Sequence, residues 1–171
     1  MKVFLLGFMG AGKTFWGQLL SRELQLPLLD LDEELVRMHG SSIAGLFDRL
    51  GEEGFRKLER EKLLEVSGGE QFVLSTGGGT PCFFDNMDIM NARGLSIWLH
   101  PSQEVLWERL RLQKQKRPLI RDLDDGALRD YIHEKLSSRE PYYSQAKLEL
   151  DPDRETAATF AQKIRACVNP S

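Results

Sequence analysis

Cysteine is scarce in this sequence, with Cys82 and Cys167 the only two among 171 residues. Two distant cysteines exclude a disulfide framework and a Cys-x-x-Cys zinc pattern, and they predict free thiols in a reducing compartment. No apolar run approaches the roughly 20 residues that a membrane span requires, and the first residues lack the cleavage site of a signal peptide. These absences predict a cytoplasmic protein without a membrane partner.

A strong excess of charge of one sign is also missing. The 23 Lys and Arg residues oppose 26 Asp and Glu residues, for a net charge of -3, which argues against general nucleic-acid binding. A local basic cleft stays compatible with this balance. Hydrophobic residues make up 41% of the chain, so a chain of this length can bury a core without disulfide or metal support. We therefore predict one globular domain over residues 1–171.

Short apolar runs alternate with helical patterns along the chain. Residues 3–6 form a continuous apolar run, typical of a strand buried on both faces, and we predict further strands at 27–30, 72–75, 95–99 (with some alternation) and 148–150. Helical spacing predicts helices at 13–24, 32–39, 42–50, 52–66, 85–92, 102–112, 125–144 and 156–168. Strands that alternate with helices imply a parallel sheet with helices on both faces.

The most specific motif follows the first predicted strand. Residues 7–14 read Gly-Phe-Met-Gly-Ala-Gly-Lys-Thr, which fits the GxxxxGK[ST] phosphate loop between a strand and a helix. Glycines let the backbone wrap closely around phosphate oxygens, and the loop N–H groups point at the anion. Lys13 is predicted to reach the β- and γ-phosphates, and Thr14 to offer its hydroxyl to Mg2+. A chance glycine turn is the alternative, which the flanking elements disfavour.

A phosphate loop alone does not define the reaction. The sequence lacks the Asn-Lys-x-Asp run with which GTPases recognise guanine, and it lacks the long strand ending in Asp-Glu that is typical of ATPase motors. A short chain with the loop near its start favours a small-molecule kinase.

Two carboxylates follow the second predicted strand. Asp30 and Asp32 are two residues apart, so on a strand end their side chains point the same way, at the edge where open α/β sheets bind ligands. One suits Mg2+ through water, and the other suits an attacking hydroxyl group. The alternative is that Asp32 only caps the following helix.

Two further features have both a functional and a plain interpretation. Residues 77–79 are three glycines after a strand, which favours close approach of a ligand to the backbone over a flexible turn. The basic stretch around Arg117 is either a solvated loop or a lid that closes over phosphates. From the residues alone, Arg56 is a surface helix residue and Arg139 pairs with a neighbouring glutamate.

Together these motifs resemble those of the shikimate kinase family. They occur in family order at 7–14, 30–32, 51–56, 77–79, 117–119 and 139–143. The combination of Phe-Arg, triple glycine, Arg-Pro-Leu and Arg-Glu-Pro-Tyr-Tyr is far more specific than the phosphate loop, from which Phe15 departs slightly. The resemblance implies transfer of the γ-phosphoryl group of ATP to the 3-hydroxyl of shikimate, in aromatic amino-acid biosynthesis.

The resemblance also implies an architecture. It is the α/β, three-layer P-loop kinase fold similar to that of nucleoside monophosphate kinases, with a five-stranded parallel sheet. A substrate-binding subdomain is expected near 33–60 and a lid near 112–124. The implied partners are ATP and shikimate, and the implied oligomeric state is a monomer.

Site roles carried over from the resemblance fall into four groups. The catalytic residues are Lys13, Asp32 and Arg117. The ATP-binding residues are Gly10, Ala11, Gly12, Lys13, Thr14, Phe15, Arg111, Arg117 and Arg154. The shikimate-binding residues are Asp32, Arg56, Gly78, Gly79 and Arg139, with the two arginines clamping the carboxylate. Mg2+ is assigned to Thr14 and, through water, Asp30.

Two other functions stay open as alternatives. Another small-molecule kinase, such as a gluconate kinase, would share the loop and the fold but would not require Arg56, the triple glycine and Arg139 together. A nucleotide-binding module without activity would keep the loop and lose the acceptor site.

Overall fold

Five parallel strands run through the part of the chain that the structure, a computed structural model, describes: residues 1–117 and 119–168. The strands are β1 (Lys2–Leu6), β2 (Leu28–Asp30), β3 (Phe72–Ser75), β4 (Leu95–Leu99) and β5 (Leu148–Leu150). Their order in the sheet is β2-β3-β1-β4-β5, and each pairing is parallel. The predicted five-stranded parallel sheet is confirmed.

Helices connect the strands and cover both faces of the sheet. They are α1 (Lys13–Leu24), α2 (Leu31–His39), α3 (Ile43–Ser67), α4 (Asn86–Arg93), α5 (Gln103–Gln113), α6 (Asp125–Tyr143) and α7 (Ala157–Val168). Single 3-10 turns lie at Thr80–Cys82 and Lys114–Lys116. Within α3, Gly51 has a φ of 67° and a ψ of 177°, which breaks the helix into the two predicted arms.

Side-chain caps explain where several of these helices begin. The Ser42 hydroxyl accepts a hydrogen bond from the Gly45 N–H at the start of α3. Ser102 and Asp124 do the same at the starts of α5 and α6. Such caps satisfy backbone donors that have no partner inside the helix.

The core lies on both sides of the central strand β1. Val3, Phe4, Leu5 and Leu6 are fully buried, as expected for a strand covered on both faces. The alternation predicted at 95–99 is wrong, because every residue of β4 is buried.

A second, smaller core joins α2 to α3 through Leu35, Leu46 and Phe55. It falls within the segment 33–60, where the resemblance implies a substrate-binding subdomain. That assignment, like the single-domain boundary at 1–171, stays a prediction. None of the helices in the described ranges is both long enough and apolar enough to cross a membrane.

Candidate active site

The phosphate loop is a tight turn between β1 and α1. Gly7, Gly10 and Gly12 have positive φ values of 145°, 81° and 95°, which L side chains rarely adopt. A Cβ at Gly7 would lie 2.7 Å from the Leu99 carbonyl oxygen, so the loop also needs glycine for space. The Lys13 ammonium donates to the carbonyl oxygens of Gly7 at 2.7 Å and Phe8 at 3.1 Å.

A cavity of about 560 Å3 opens over this loop. Lys13, Thr14, Asp30 and Asp32 line its phosphate-loop end. Gly10, Gly12 and Phe15 also line it, whereas Ala11 is fully buried. The predicted phosphate-binding residues therefore surround one cavity or, for Ala11, support its wall.

Asp30 and Asp32 both line this cavity, but they lie in different elements. Asp30 ends β2 and caps α2, because its carboxylate accepts from the N–H groups of Asp32 at 3.0 Å and Glu33 at 3.3 Å. Asp32 lies in the first turn of α2, so the prediction that both sit on a strand end is wrong. The capping role considered for Asp32 belongs to Asp30, and both carboxylates still line the same cavity.

Burial and charge shift the pKa values of two groups in this cavity in opposite directions. Burial, together with the negative charges of Asp30 and Glu59, raises the pKa of Asp32 to about 6 against the opposing charges of Lys13 and Arg56. Burial lowers the pKa of Lys13 to about 8, although Asp32 and Asp30 oppose that shift. Shifted titrating groups that share a cleft are typical of active sites.

A second cavity of about 330 Å3 adjoins the first. Arg56, Arg139 and the three glycines 77–79 line it, together with Phe47 and Phe55. Asp32 and Arg117 line both cavities. Pro118, next to Arg117 in the predicted lid motif, lies outside the described residues. The molecule therefore has two adjoining compartments with one carboxylate and one guanidinium at their junction.

Arg56 is buried, with 9% of its surface exposed, so the surface position expected from helical pattern alone is wrong. Its guanidinium carbon lies 4.3 Å from the Phe83 ring centre and 5.3 and 5.4 Å from those of Phe55 and Phe47. Its Nε has no hydrogen-bond partner among the described residues. A buried cation that lines a cavity is suited to bind an anion there.

Gly79 and Gly78 are needed beside these arginines. A Cβ on Gly79 would lie 2.6 Å from both terminal nitrogens of Arg56. The Arg139 guanidinium lies over the Phe8 ring, 5.4 Å from its centre, and a Cβ on Gly78 would lie 3.2 Å from its Nη1. Because Arg139 forms no ion pair with any described residue, the glutamate pairing expected from sequence is wrong.

Glu59 is a site residue that the sequence argument missed. Its carboxylate is 1% exposed and accepts from Arg56 Nη1 at 2.8 Å and from the Thr80 hydroxyl. It lies three residues after Arg56 on a helix rich in charge, so its burial had no clear signal in the sequence. Its contacts make it a positioning residue for Arg56.

We expect Glu59→Gln to weaken acceptor binding and to shift the acid limb of activity to lower pH. The first effect follows because Arg56 loses its charged partner, and charged hydrogen bonds contribute about 1.5–3 kcal/mol. The second follows because Glu59 raises the pKa of Asp32, so removing that charge lowers it. Steady-state kinetics across about pH 5–7, the range around the pKa of Asp32, measure both the acceptor KM and the position of the acid limb.

Glu53→Gln is the matched control for this experiment. Glu53 lies on the same helix, and its exposed carboxylate pairs with Lys57 at 2.6 Å. It should leave the acceptor KM and the pH profile unchanged. An acid limb that stays in place in Glu59→Gln would contradict the electrostatic role.

Arg111 and Arg154, which the resemblance assigns to ATP binding, are not among the residues that line the larger cavity. Arg111 lies over the Trp107 ring and 3.7 Å from Asp125, and the exposed Arg154 pairs with Asp151 at 3.1 Å. The cavity wall instead contains Arg109, which donates to the Gly10 carbonyl oxygen at 3.1 Å and to Asp153. Helical spacing alone does not show which of Arg109 and Arg111 lines the cavity, because that depends on the contact of Arg109 with Asp153 in the loop after β5.

The parallel sheet, phosphate loop and adjoining cavities define a P-loop kinase fold. A family model described as shikimate kinase matches residues 9–169. The chain belongs to the shikimate kinase family. Shikimate kinase from Bacteroides fragilis is 43% identical over 176 aligned positions, covering 99% of this chain and 97% of the relative. The enzyme from Phocaeicola vulgatus is 48% identical over 146 positions, covering 85% and 83%.

Solved structures agree with this assignment. A crystal structure of shikimate kinase from Bacteroides thetaiotaomicron has a TM-score of 0.90 and 40% identity, and the match covers 98% of each chain. Shikimate kinase from Acinetobacter baumannii in complex with shikimate has a TM-score of 0.84 and 32% identity, covering 98% of this chain and 92% of that one.

Proposed function

We propose that this chain transfers the γ-phosphoryl group of ATP to the 3-hydroxyl of shikimate, giving shikimate 3-phosphate and ADP. The observation that carries the proposal is the pair of adjoining cavities that share Asp32 and Arg117. A donor phosphate in one compartment and an acceptor hydroxyl in the other would meet at these two side chains. Such positioning, with charge stabilisation, supplies most of phosphoryl-transfer catalysis.

The donor compartment has the groups that a nucleotide triphosphate requires. Loop N–H groups and Lys13 would hold the phosphates, and Arg117 would neutralise charge on the transferring group. The oxygen donors Thr14 and Asp30 in the same cavity fit Mg2+, which prefers oxygen ligands and keeps several waters. When bound, the ion would neutralise phosphate charge and orient the triphosphate.

The acceptor compartment suits a small hydroxylated carboxylate. Arg56 and Arg139 present two guanidinium groups to one cavity, and planar guanidinium groups pair well with a carboxylate. Gly78 and Gly79 let a ligand approach the backbone closely. Asp32, ionised above pH about 6, would accept the proton of the attacking hydroxyl, which makes the oxygen a better nucleophile.

Purified protein with ATP and Mg2+ tests the proposal, with release of ADP measured against shikimate and against gluconate. We expect turnover with shikimate as the acceptor and no turnover with gluconate. Turnover with gluconate alone would favour the rival kinase. Nucleotide binding by calorimetry without turnover of either acceptor would favour a module without activity. Either result would overturn the proposal.

We expect Arg139→Ala to raise the dissociation constant for shikimate by about 10- to 100-fold, because it removes a charged hydrogen-bonding partner. ATP binding should change far less. Arg129→Ala is the matched control, since Arg129 lies on the same helix and forms an exposed pair with Glu104 at 2.6 Å. Calorimetry with each ligand measures the difference, and equal losses for both ligands would contradict the clamp.

We also propose that the protein acts as a monomer in the cytoplasm. A monomer is the oligomeric state that the family resemblance implies, and the charged residues to which we assign roles line cavities of one chain. Light scattering should give the mass of one chain, 19.5 kDa, and a stable dimer would contradict this.

A further inference from the structure

Trp16 carries a hydrogen-bond donor that the phosphate-loop chemistry does not use. The side chain is 6% exposed and packs edge-on against Phe160 of α7, with ring centres 4.8 Å apart. Its indole nitrogen forms no hydrogen bond with any residue in the described ranges. Buried Trp N–H groups usually have a partner, so this one calls for a ligand or solvent contact.

The unpartnered nitrogen lies near Gly12, a glycine of the phosphate loop that lines the nucleotide cavity. Trp16 is one of the residues that line that cavity. A Cβ added to Gly12 would lie 3.3 Å from Trp16 Cδ1, 3.9 Å from Nε1 and 4.0 Å from Arg109 Nη1. Nε1 is also not one of the polar atoms that are sealed from solvent without a partner, which in the described residues are His39 Nε2 and Arg56 Nε. The donor is therefore reachable from the cavity.

Its neighbours indicate which part of a nucleotide it would meet. The loop N–H groups and Lys13 lie at the end of the cavity suited to phosphate. Trp16 and Arg109 Nη1 both approach Gly12, and Arg109 also contacts Gly10 and Asp153, which lies in the loop after β5. Pro152 and Asp153 line the cavity too. With the phosphates held by the loop and Lys13, the nucleoside is the part of a nucleotide that remains to meet these residues, and its base and ribose carry hydrogen-bond acceptors.

We propose that the Trp16 indole N–H hydrogen-bonds to the nucleoside portion of the donor nucleotide. The inference rests on the proposed function only in that a nucleotide occupies the larger cavity. Trp16 then contributes to the affinity for the nucleotide. Its aromatic ring packs against Phe160, which fixes the direction of the N–H group.

Titration of uniformly 15N-labelled protein with ADP and with inorganic pyrophosphate tests this contact directly. The chain has three tryptophans, Trp16, Trp98 and Trp107, and the indole N–H signal that is lost in Trp16→Phe is that of Trp16. We expect ADP to shift the Trp16 signal strongly, whereas pyrophosphate, which lacks a nucleoside, should shift it little. A Trp16 signal that ADP leaves in place, or that both ligands move equally, would overturn the proposal.

Trp16→Phe keeps an aromatic ring next to Phe160 and removes the donor together with part of the ring. We expect the dissociation constant for ADP to rise about fivefold, as for loss of one neutral hydrogen bond, and that for pyrophosphate to stay unchanged. A merely structural role would weaken both ligands together, and that result would overturn the proposal.

Trp107→Phe is the matched control, because the Trp107 N–H donates to the Asp125 carbonyl oxygen at 3.2 Å on another helix. It should leave ADP affinity unchanged. These binding measurements need no acceptor, so their failure is distinguishable from failure of the proposed function, which would appear as absent turnover with shikimate.

Discussion

Replacing Arg117 with alanine should lower kcat by about 10³-fold while ATP affinity falls far less, as for other arginines that contact a transferring phosphoryl group. The reason is its place at the junction of the two cavities. Negative charge spreads over the transferring group only in the transition state, so a guanidinium there contributes mostly to that state.

Half-burial strengthens this expectation. Burial lowers the pKa of Arg117, yet an arginine in a protein stays protonated, so its charge acts in surroundings that screen it weakly. Its hydrogen bond to the Gln113 side chain is long, at 3.5 Å, which leaves most of its donors for a ligand.

Arg121→Ala is the control for Arg117→Ala. Arg121 belongs to the same basic stretch, but it is exposed and pairs with Asp122 at 3.4 Å. It should keep the kcat of the unmodified protein. Rapid-quench kinetics with saturating ATP and shikimate separates phosphoryl transfer from product release, and an unchanged transfer rate in Arg117→Ala would refute the role.

The second large effect concerns proton transfer. We expect Asp32→Asn to lower kcat by about 10²- to 10⁴-fold, the range for loss of a general base. An asparagine keeps the shape of the side chain and one acceptor oxygen but cannot accept the proton. A loss below about tenfold would show that Asp32 orients the hydroxyl without removing its proton.

The pH dependence of kcat/KM gives an independent test of the same residue. The carboxyl group must be ionised to accept a proton, so activity should rise with pH up to about 6, the raised pKa of Asp32. It should fall again above about 8 as Lys13 loses its charge. In Asp32→Asn the acid limb should disappear, and the alkaline limb should move to lower pH, because the Asp32 charge no longer raises the pKa of Lys13. Ionisations of the substrates are common to both proteins and cancel in the ratio of their rates.

Local rules explain why much of this fold could be predicted. The strand at β1 is a continuous apolar run because both of its faces are covered, and its burial leaves no polar position to confuse the pattern. The phosphate loop combines fixed spacing with a fixed strand-to-helix context. A capping serine directly precedes the helix that it caps, so Ser42 and Ser102 mark the starts of α3 and α5 in the sequence itself.

The errors arise where distant segments decide the outcome. Arg56 sits on a charged helix, and only the packing of Phe83 and Glu59 around it makes it a buried cation. Arg109 and not Arg111 lines the cavity, and this depends on its contact with Asp153 in the loop after β5, 44 residues later in the sequence. Asp32 reaches the cleft from a helix, because Asp30 ends β2 early by capping α2.

The aromatic enclosure of Arg56 has a thermodynamic consequence. A free arginine side chain loses up to about 2 kcal/mol of rotamer entropy when a ligand immobilises it. Here Phe83, Phe55 and the Glu59 carboxylate already restrict that freedom in the folded chain, so the ordering occurs once, during folding, and is not repeated with each acceptor molecule. The Arg56 guanidinium is therefore already ordered when the acceptor binds, so binding should remove little further side-chain entropy from Arg56.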